Sequence, residues 1–70
     1  MSEASVSAPE FESYLDRLRV LSDGASHVAS ELRAISNDLA NVGNLLSLPL
    51  AMAAGEAEYV ADTIRQAIAE

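Results

Sequence analysis

The chain has 70 residues, so it forms one domain at most and buries only about 60% of the surface that its unfolded form exposes. It contains no cysteine, which excludes disulfide bonds, and its single histidine and its carboxylates show no metal-ligand spacing. Eleven acidic residues against four arginines give a net charge of -7, which disfavours nucleic acid and anionic membranes as partners. We therefore expect stabilisation by self-association or by a protein partner, without a cofactor.

The N-terminal segment predicts a helix start. Residues 1–7 are interpreted as a disordered lead and a helix cap, because Ser7 and Glu10 fit a capping box and Pro9 follows in the first turn. Residues 8–70 would then form a single helical domain. The segment Met1 to Ala4 lacks the positive region and apolar run of a signal peptide, so we expect synthesis in the cytoplasm.

Apolar residues recur after this start at alternating steps of three and four, which is the spacing of a heptad seam. Polar residues occupy the opposite side of the same helix, as in an amphipathic helix. The seam consists of Phe11, Tyr14, Leu18, Leu21, Ala25, Val28, Leu32, Ile35, Leu39, Val42 and Leu46.

A second row beside the seam contains mostly small residues. Its members are Leu15, Ser22, Ala29, Ser36 and Gly43. Because the distance between packed helices depends on the side chains at the contact, small residues allow close approach. The row is either a second packing face or a set of positions at which small residues are merely tolerated.

The chain offers two places for a break. Ser22 to Gly24 could end a helix, but the seam keeps its register there, so we predict one helix over about 8–46. Gly43 to Pro49 predicts a turn over about 43–49. A second amphipathic helix is predicted over about 50–69, with Leu50, Val60 and Ile64 on its apolar stripe.

Two all-α architectures follow. The preferred one is a helical hairpin in which the long helix extends beyond the shorter one, a form that predicts oligomerisation. The alternative places a loop at Ser22 to Ala25 and gives a compact three-helix bundle.

No motif indicates catalysis. His27 lies at an outward position and is interpreted as a solvated side chain, and the serines lack the loops that activate a nucleophile. We expect a protein that is not an enzyme, with no catalytic, cofactor-binding or metal-binding residues.

Residues 39–55 carry no charge. They are too short and too often interrupted by polar residues to span a membrane. They could touch lipid, which would make the chain a membrane-active helical peptide, or be buried against another subunit. Leu50 and Met52 would be contact residues in the second case.

The stretch from Leu18 to Arg33, within an acidic chain of two helices about a turn, resembles the first helix of small type VII secretion substrates of the WXG100 and EspC-like kind. The Trp-x-Gly motif of that family is absent, and Tyr59 to Asp62 is one residue shorter than its Tyr-x-x-x-Asp signal. The resemblance implies export without a signal peptide. Type III needle subunits and hairpin chaperones have a similar outline.

Taken together, the residues predict a non-enzymatic helical interaction module that self-assembles or binds a helical partner. The sparse charges beside the seam would select register and partner. The predicted interface residues are Phe11, Tyr14, Leu18, Leu21, Val28, Leu32, Ile35, Leu39, Val42, Leu46, Leu50, Val60 and Ile64.

Overall fold

The structure is a computed structural model, which describes residues 7–69. Two helices account for nearly all of them: α1 spans Ala8–Asn41 and α2 spans Ser47–Ala69. The helices pack against each other as an antiparallel hairpin with principal extents of 58 × 19 × 16 Å. The predicted helical hairpin is therefore confirmed, and the predicted lead over residues 1–6 lies outside the described residues.

The start of α1 follows the predicted capping box. The Ser7 hydroxyl accepts a hydrogen bond from the backbone N–H of Glu10, and the Glu10 carboxylate accepts one from the backbone N–H of Ser7. These contacts satisfy donors that would otherwise lack a partner in the first turn. Pro9 lies in that turn, where its missing N–H costs no helical hydrogen bond.

The first helix continues through Gly24 without interruption. The three-helix alternative, which required a loop at Ser22 to Ala25, is therefore not the fold of this chain. The turns on both sides of the glycine pack against α2 through Ser22 and Ala29, and this packing outweighs the cost of one glycine, about 1 kcal/mol.

The end of α1 corrects the sequence prediction, because the helix stops at Asn41 and not near residue 46. Gly43 has φ of +71°, which a glycine adopts without steric penalty. Its N–H donates to the carbonyl of Ala40, while the N–H of Asn44 donates to the carbonyl of Leu39. This pair of bonds is a Schellman motif, a common C-terminal end of helices, with Gly43 as its left-handed residue.

The second helix also begins earlier than predicted, at Ser47 instead of residue 50. The Asn44 side chain accepts a hydrogen bond from the N–H of Leu46, which orients the chain into α2. Pro49 falls in the first helical turn, where the N–H has no intrahelical acceptor. The proline therefore belongs to the helix start, and the turn is confined to residues 42–46.

Small residues hold the hairpin together. The buried positions are spaced by seven on both helices: Ser22, Ala29 and Ser36 on α1, and Ser47, Ala54 and Ala61 on α2. The first set belongs to the row beside the seam, so that row is a packing face, and its partner is α2. Because no large side chain among the described residues is fully buried, the hairpin has only a thin core of its own.

Candidate interaction surface

The two buried rows divide the hairpin into two sides of different chemistry. In a helix, the residues three and four positions after a given residue lie on opposite flanks of it. Three positions after each buried residue the side chain is apolar: Ala25, Leu32, Leu39, Leu50, Ala57 and Ile64. Four positions after each one it is charged, hydroxylic or alanine: Ser26, Arg33, Ala40, Ala51, Glu58 and Arg65.

Ionic contacts join the helices on the charged side. An Arg33 guanidinium nitrogen lies 2.8 Å from a carboxylate oxygen of Glu58. Arg65 donates a hydrogen bond to the hydroxyl of Ser26 and lies 3.9 Å from the carboxylate of Asp23. The pairs Arg33–Glu58 and Arg65–Ser26 join residues that lie four positions after buried residues on each helix. The residues three positions after the buried ones therefore lie together on the other side of the hairpin.

That other side is the apolar face of the hairpin. Its inner residues are half-buried between the helices. Its outer residues lie one position before the buried rows, and all of them except the half-buried Ala53 are exposed. Leu21 is 59% exposed, Val28 49% and Ile35 47%. The corresponding positions next to the second buried row are Leu46, in the turn, and Ala53 and Val60, in α2. The apolar face is therefore defined by Leu18, Leu21, Ala25, Val28, Leu32, Ile35, Leu39, Leu50, Ala53, Ala57, Val60 and Ile64.

The structure places the predicted interface residues on this face or at its two ends. Phe11 and Tyr14 lie at the N-terminal end of α1, which has 34 residues against 23 in α2 and therefore extends beyond it. Val42 and Leu46 lie in the turn at the other end. All the others belong to the apolar face, so the structure brings the predicted residues together on one side.

The charged side of the hairpin is not evident from the sequence alone. Arg33 and Glu58 lie 25 positions apart in the chain, and nothing local marks them as partners. Their signal was their shared position four residues after Ala29 and Ala54, which is recognisable only once the small rows are known to meet.

A second exposed apolar area occupies the end of the hairpin formed by the turn. Val42, Leu45, Leu48 and Met52 are all largely exposed, and we call this area the tip. The tip falls within the uncharged stretch 39–55. Neither helix of the described chain contains a segment long and apolar enough to cross a membrane.

The titratable groups are mostly on the surface. Hydrogen bonds from the backbone N–H and the hydroxyl of Ser7 lower the pKa of the Glu10 carboxyl below its ordinary value. His27 is exposed, and its Nε2 lies 3.7 Å from a carboxylate oxygen of Glu31. Residues 7–69 contain no group of three or more histidine, aspartate or glutamate side chains placed to hold a metal ion.

Comparison with known proteins identifies no relative. No protein-family model matches the chain, and searches of curated proteins and of solved structures gave no significant match. The resemblance to type VII secretion substrates therefore stays a prediction.

Proposed function

We propose that this protein is a helical interaction module, not an enzyme, and that its apolar face binds partner helices. The observation that carries the proposal is the exposure of Leu21, Val28 and Ile35 in a row on one side of a hairpin. Contiguous exposed apolar patches on a small domain are typical of protein interaction sites.

The thin core of the hairpin supports the same proposal. Alanine and serine at the buried positions contribute little apolar area, while the larger leucine, isoleucine and valine side chains lie beside them, partly in solvent. Covering a half-exposed side chain of that size is worth roughly 1 kcal/mol. A partner on this face would therefore add stabilisation that the hairpin lacks alone.

The periodicity of the face favours a helical partner. The outer residues Leu21, Val28 and Ile35 repeat every seven positions, and so do the inner residues Ala25, Leu32 and Leu39. Two apolar rows with that repeat accept the side chains of another helix as knobs into holes.

A photo-crosslinking experiment tests this function. A benzophenone amino acid replaces Val28 on the apolar face or, as the control, the neighbouring exposed residue His27 on the opposite surface. We expect the benzophenone at position 28 to give a discrete crosslinked product, either with the purified chain or in the source cells. The additional substitution Leu21→Glu should abolish this product. The same products from both positions, or none from position 28, would refute the proposal.

The tip supports a second candidate function, contact with a lipid surface. Leu45 and Leu48 are 79% and 63% exposed, and no charge within residues 39–55 opposes burial in an apolar medium. A fluorophore at position 48 should shift to the blue when neutral or anionic vesicles are added, with a fluorophore at Ser13 as the control. An unchanged spectrum with both vesicle types would dispose of this function.

A further inference from the structure

We propose that the partner on the apolar face is a second copy of this chain, with the two α1 helices antiparallel and crossing at Gly24 and Ala25. This inference rests on the proposed function and specifies its partner. It gives a four-helix bundle with a two-fold axis at the centre of the face. Such an axis requires that one patch complement itself, with each contact occurring twice.

The apolar face of α1 has this self-complementarity about its centre. Leu18 and Leu32 lie seven positions before and after Ala25, and Phe11 and Leu39 lie fourteen before and after it. The outer row is centred within one position of the inner row. Leu21 lies three residues before Gly24, and Val28 lies four residues after it. An antiparallel copy therefore places Leu18 opposite Leu32 and Phe11 opposite Leu39 along the inner row.

Gly24 provides a second observation. Apart from proline, glycine is the least favourable residue in a helix interior, and a Cβ atom at position 24 would meet nothing within 4 Å. The hairpin itself therefore gives no packing reason for a glycine at this position. On the surface, Gly24 and Ala25 leave a gap between Leu21 and Val28. A second helix crossing at this point could approach closely, which accounts for the glycine.

The charges on the outer edge of the face are complementary in the same arrangement. Arg17 lies seven positions before Gly24 and Glu31 seven positions after it, so each Arg17 would face Glu31 of the other copy. Within one chain the two are separated by fourteen residues of helix, about 21 Å, and do not pair. The other arginines, Arg19, Arg33 and Arg65, already contact carboxylates within their own hairpin. Arg17 lies 5.7 Å from the Tyr14 ring centroid, and within residues 7–69 it has no carboxylate partner.

The alternative symmetric arrangement fits the edge charges less well. With α1 of one copy on α2 of the other and the turns at the same end, the hairpin register, in which Ser36 lies opposite Ser47, would place Glu31 opposite Met52. Arg17 would lie opposite Gln66, so neither charge would gain a partner of opposite sign. In the arrangement centred on Gly24, α2 faces α2 near Val60, and Glu56 meets Thr63. The hairpin measures 58 Å by 19 Å across its face, comparable with a standard interface of about 800 Å² per partner.

Disulfide trapping tests this arrangement, because the natural chain has no cysteine. A disulfide needs Cα atoms within about 7 Å, so Gly24→Cys, at the two-fold axis, should crosslink to its own copy under mild oxidation. Arg17→Cys alone should not, since the two positions would be about 21 Å apart along the axis. An equal mixture of Arg17→Cys and Glu31→Cys should give the mixed disulfide. Self-crosslinking of Arg17→Cys together with no mixed product would overturn the antiparallel geometry.

Charge exchange provides a readout that keeps the chain free of cysteine. In a sedimentation concentration series at low salt, Arg17→Glu should raise the dimer dissociation constant about tenfold, because two attractive pairs become repulsive. Glu31→Arg should weaken the dimer by a similar factor, and the double variant should recover the original dissociation constant. Recovery depends on pairing between copies, so additive losses in the double variant would contradict the proposal.

The proposed function and the proposed dimer can be refuted independently of each other. A folded monomer at all concentrations, without a Gly24→Cys disulfide, would overturn the second copy as partner. The proposed function would still stand if position 28 crosslinks to a different protein and position 27 does not. The proposed function would be refuted only if position 28 gave no crosslinked product or the same products as position 27.

Discussion

The Ser36 hydroxyl donates a hydrogen bond to the backbone carbonyl oxygen of Ser47, 2.8 Å away, across the contact between the two helices. Both residues are buried, and Ser47 is the first residue of α2. A side chain as short as serine reaches the opposing backbone only where two helices approach closely. The bond therefore marks the close packing of the small rows next to the turn.

Enlarging Ser36 should force the helices apart. We expect Ser36→Leu to lower the free energy of unfolding by about 1 to 3 kcal/mol through overpacking, and Ser36→Ala by about 1 kcal/mol through the lost hydrogen bond. Urea unfolding followed by circular dichroism measures both. Ser30→Leu, at an exposed position of the same helix, is the matched control, and an equal loss in that variant would argue against close packing at Ser36.

A charge on the apolar face should prevent association without unfolding the hairpin. Leu21→Glu places a carboxylate on the face, whereas Val20→Glu places one on the opposite surface, where the side chain is 70% exposed. We expect the first variant to be a helical monomer and the second to keep the mass of the natural chain. The inner residue Leu32 is half-buried, so Leu32→Asp should disrupt assembly and also weaken the hairpin. Light scattering across a concentration series measures the mass of each variant. An unchanged mass for Leu21→Glu would contradict association through the apolar face.

The turn should depend on the left-handed conformation of Gly43. Gly43→Ala should cost about 1 to 2 kcal/mol, because a Cβ atom is disfavoured at φ of +71° even though the space around it is open. Gly55→Ala is the control, since Gly55 is helical and a Cβ there also meets open space. That variant should gain up to about 1 kcal/mol. A similar change in thermal stability for the two variants would mean that the turn imposes no conformational requirement.

The ion pair between Arg33 and Glu58 should add little to stability. Both side chains are about half-exposed, so Glu58→Gln should cost less than about 1 kcal/mol, and the loss should shrink as salt is added. A double-mutant cycle with Arg33→Gln isolates the pair. A coupling energy well above 1 kcal/mol at high salt would show that the charged side contributes more than exposed pairs usually do.

The helix cap should make the N-terminus of α1 sensitive to acid. Because folding lowers the pKa of the Glu10 carboxyl, its contribution is fully present above the ordinary value of 4.5 and is lost as pH falls through the lowered value. NMR titration of the Glu10 side chain measures the shift directly. Ser7→Ala removes the hydroxyl from the capping box and should move the Glu10 pKa back toward its ordinary value while also weakening the cap by about 1 kcal/mol. An unshifted Glu10 in the natural chain would contradict the cap geometry.

Local signals predicted the helices and much of the candidate site. The capping box at Ser7 and Glu10 fixes where α1 begins, because these contacts form within one turn of chain. The heptad seam placed its residues on one side of α1 for the same reason, since helical periodicity depends only on local geometry. The boundaries at the turn were wrong by several residues. Gly43 and Pro49 both indicate a break in the helix. The Schellman motif at Gly43 ends α1 earlier than predicted, and α2 begins before Pro49 because proline is tolerated in a first turn.

By itself the sequence determined that this protein has two amphipathic helices joined by a glycine-containing turn, with large apolar side chains in one row and small ones in the next. Only the tertiary structure decided that α2 packs on the small row, at Ser22, Ala29 and Ser36. The physical reason is that both rows are equally compatible with a helix, and the choice depends on how closely the second helix can approach. Packing through serine and alanine lets the backbones come together, and it leaves Leu21, Val28 and Ile35 exposed on the apolar face.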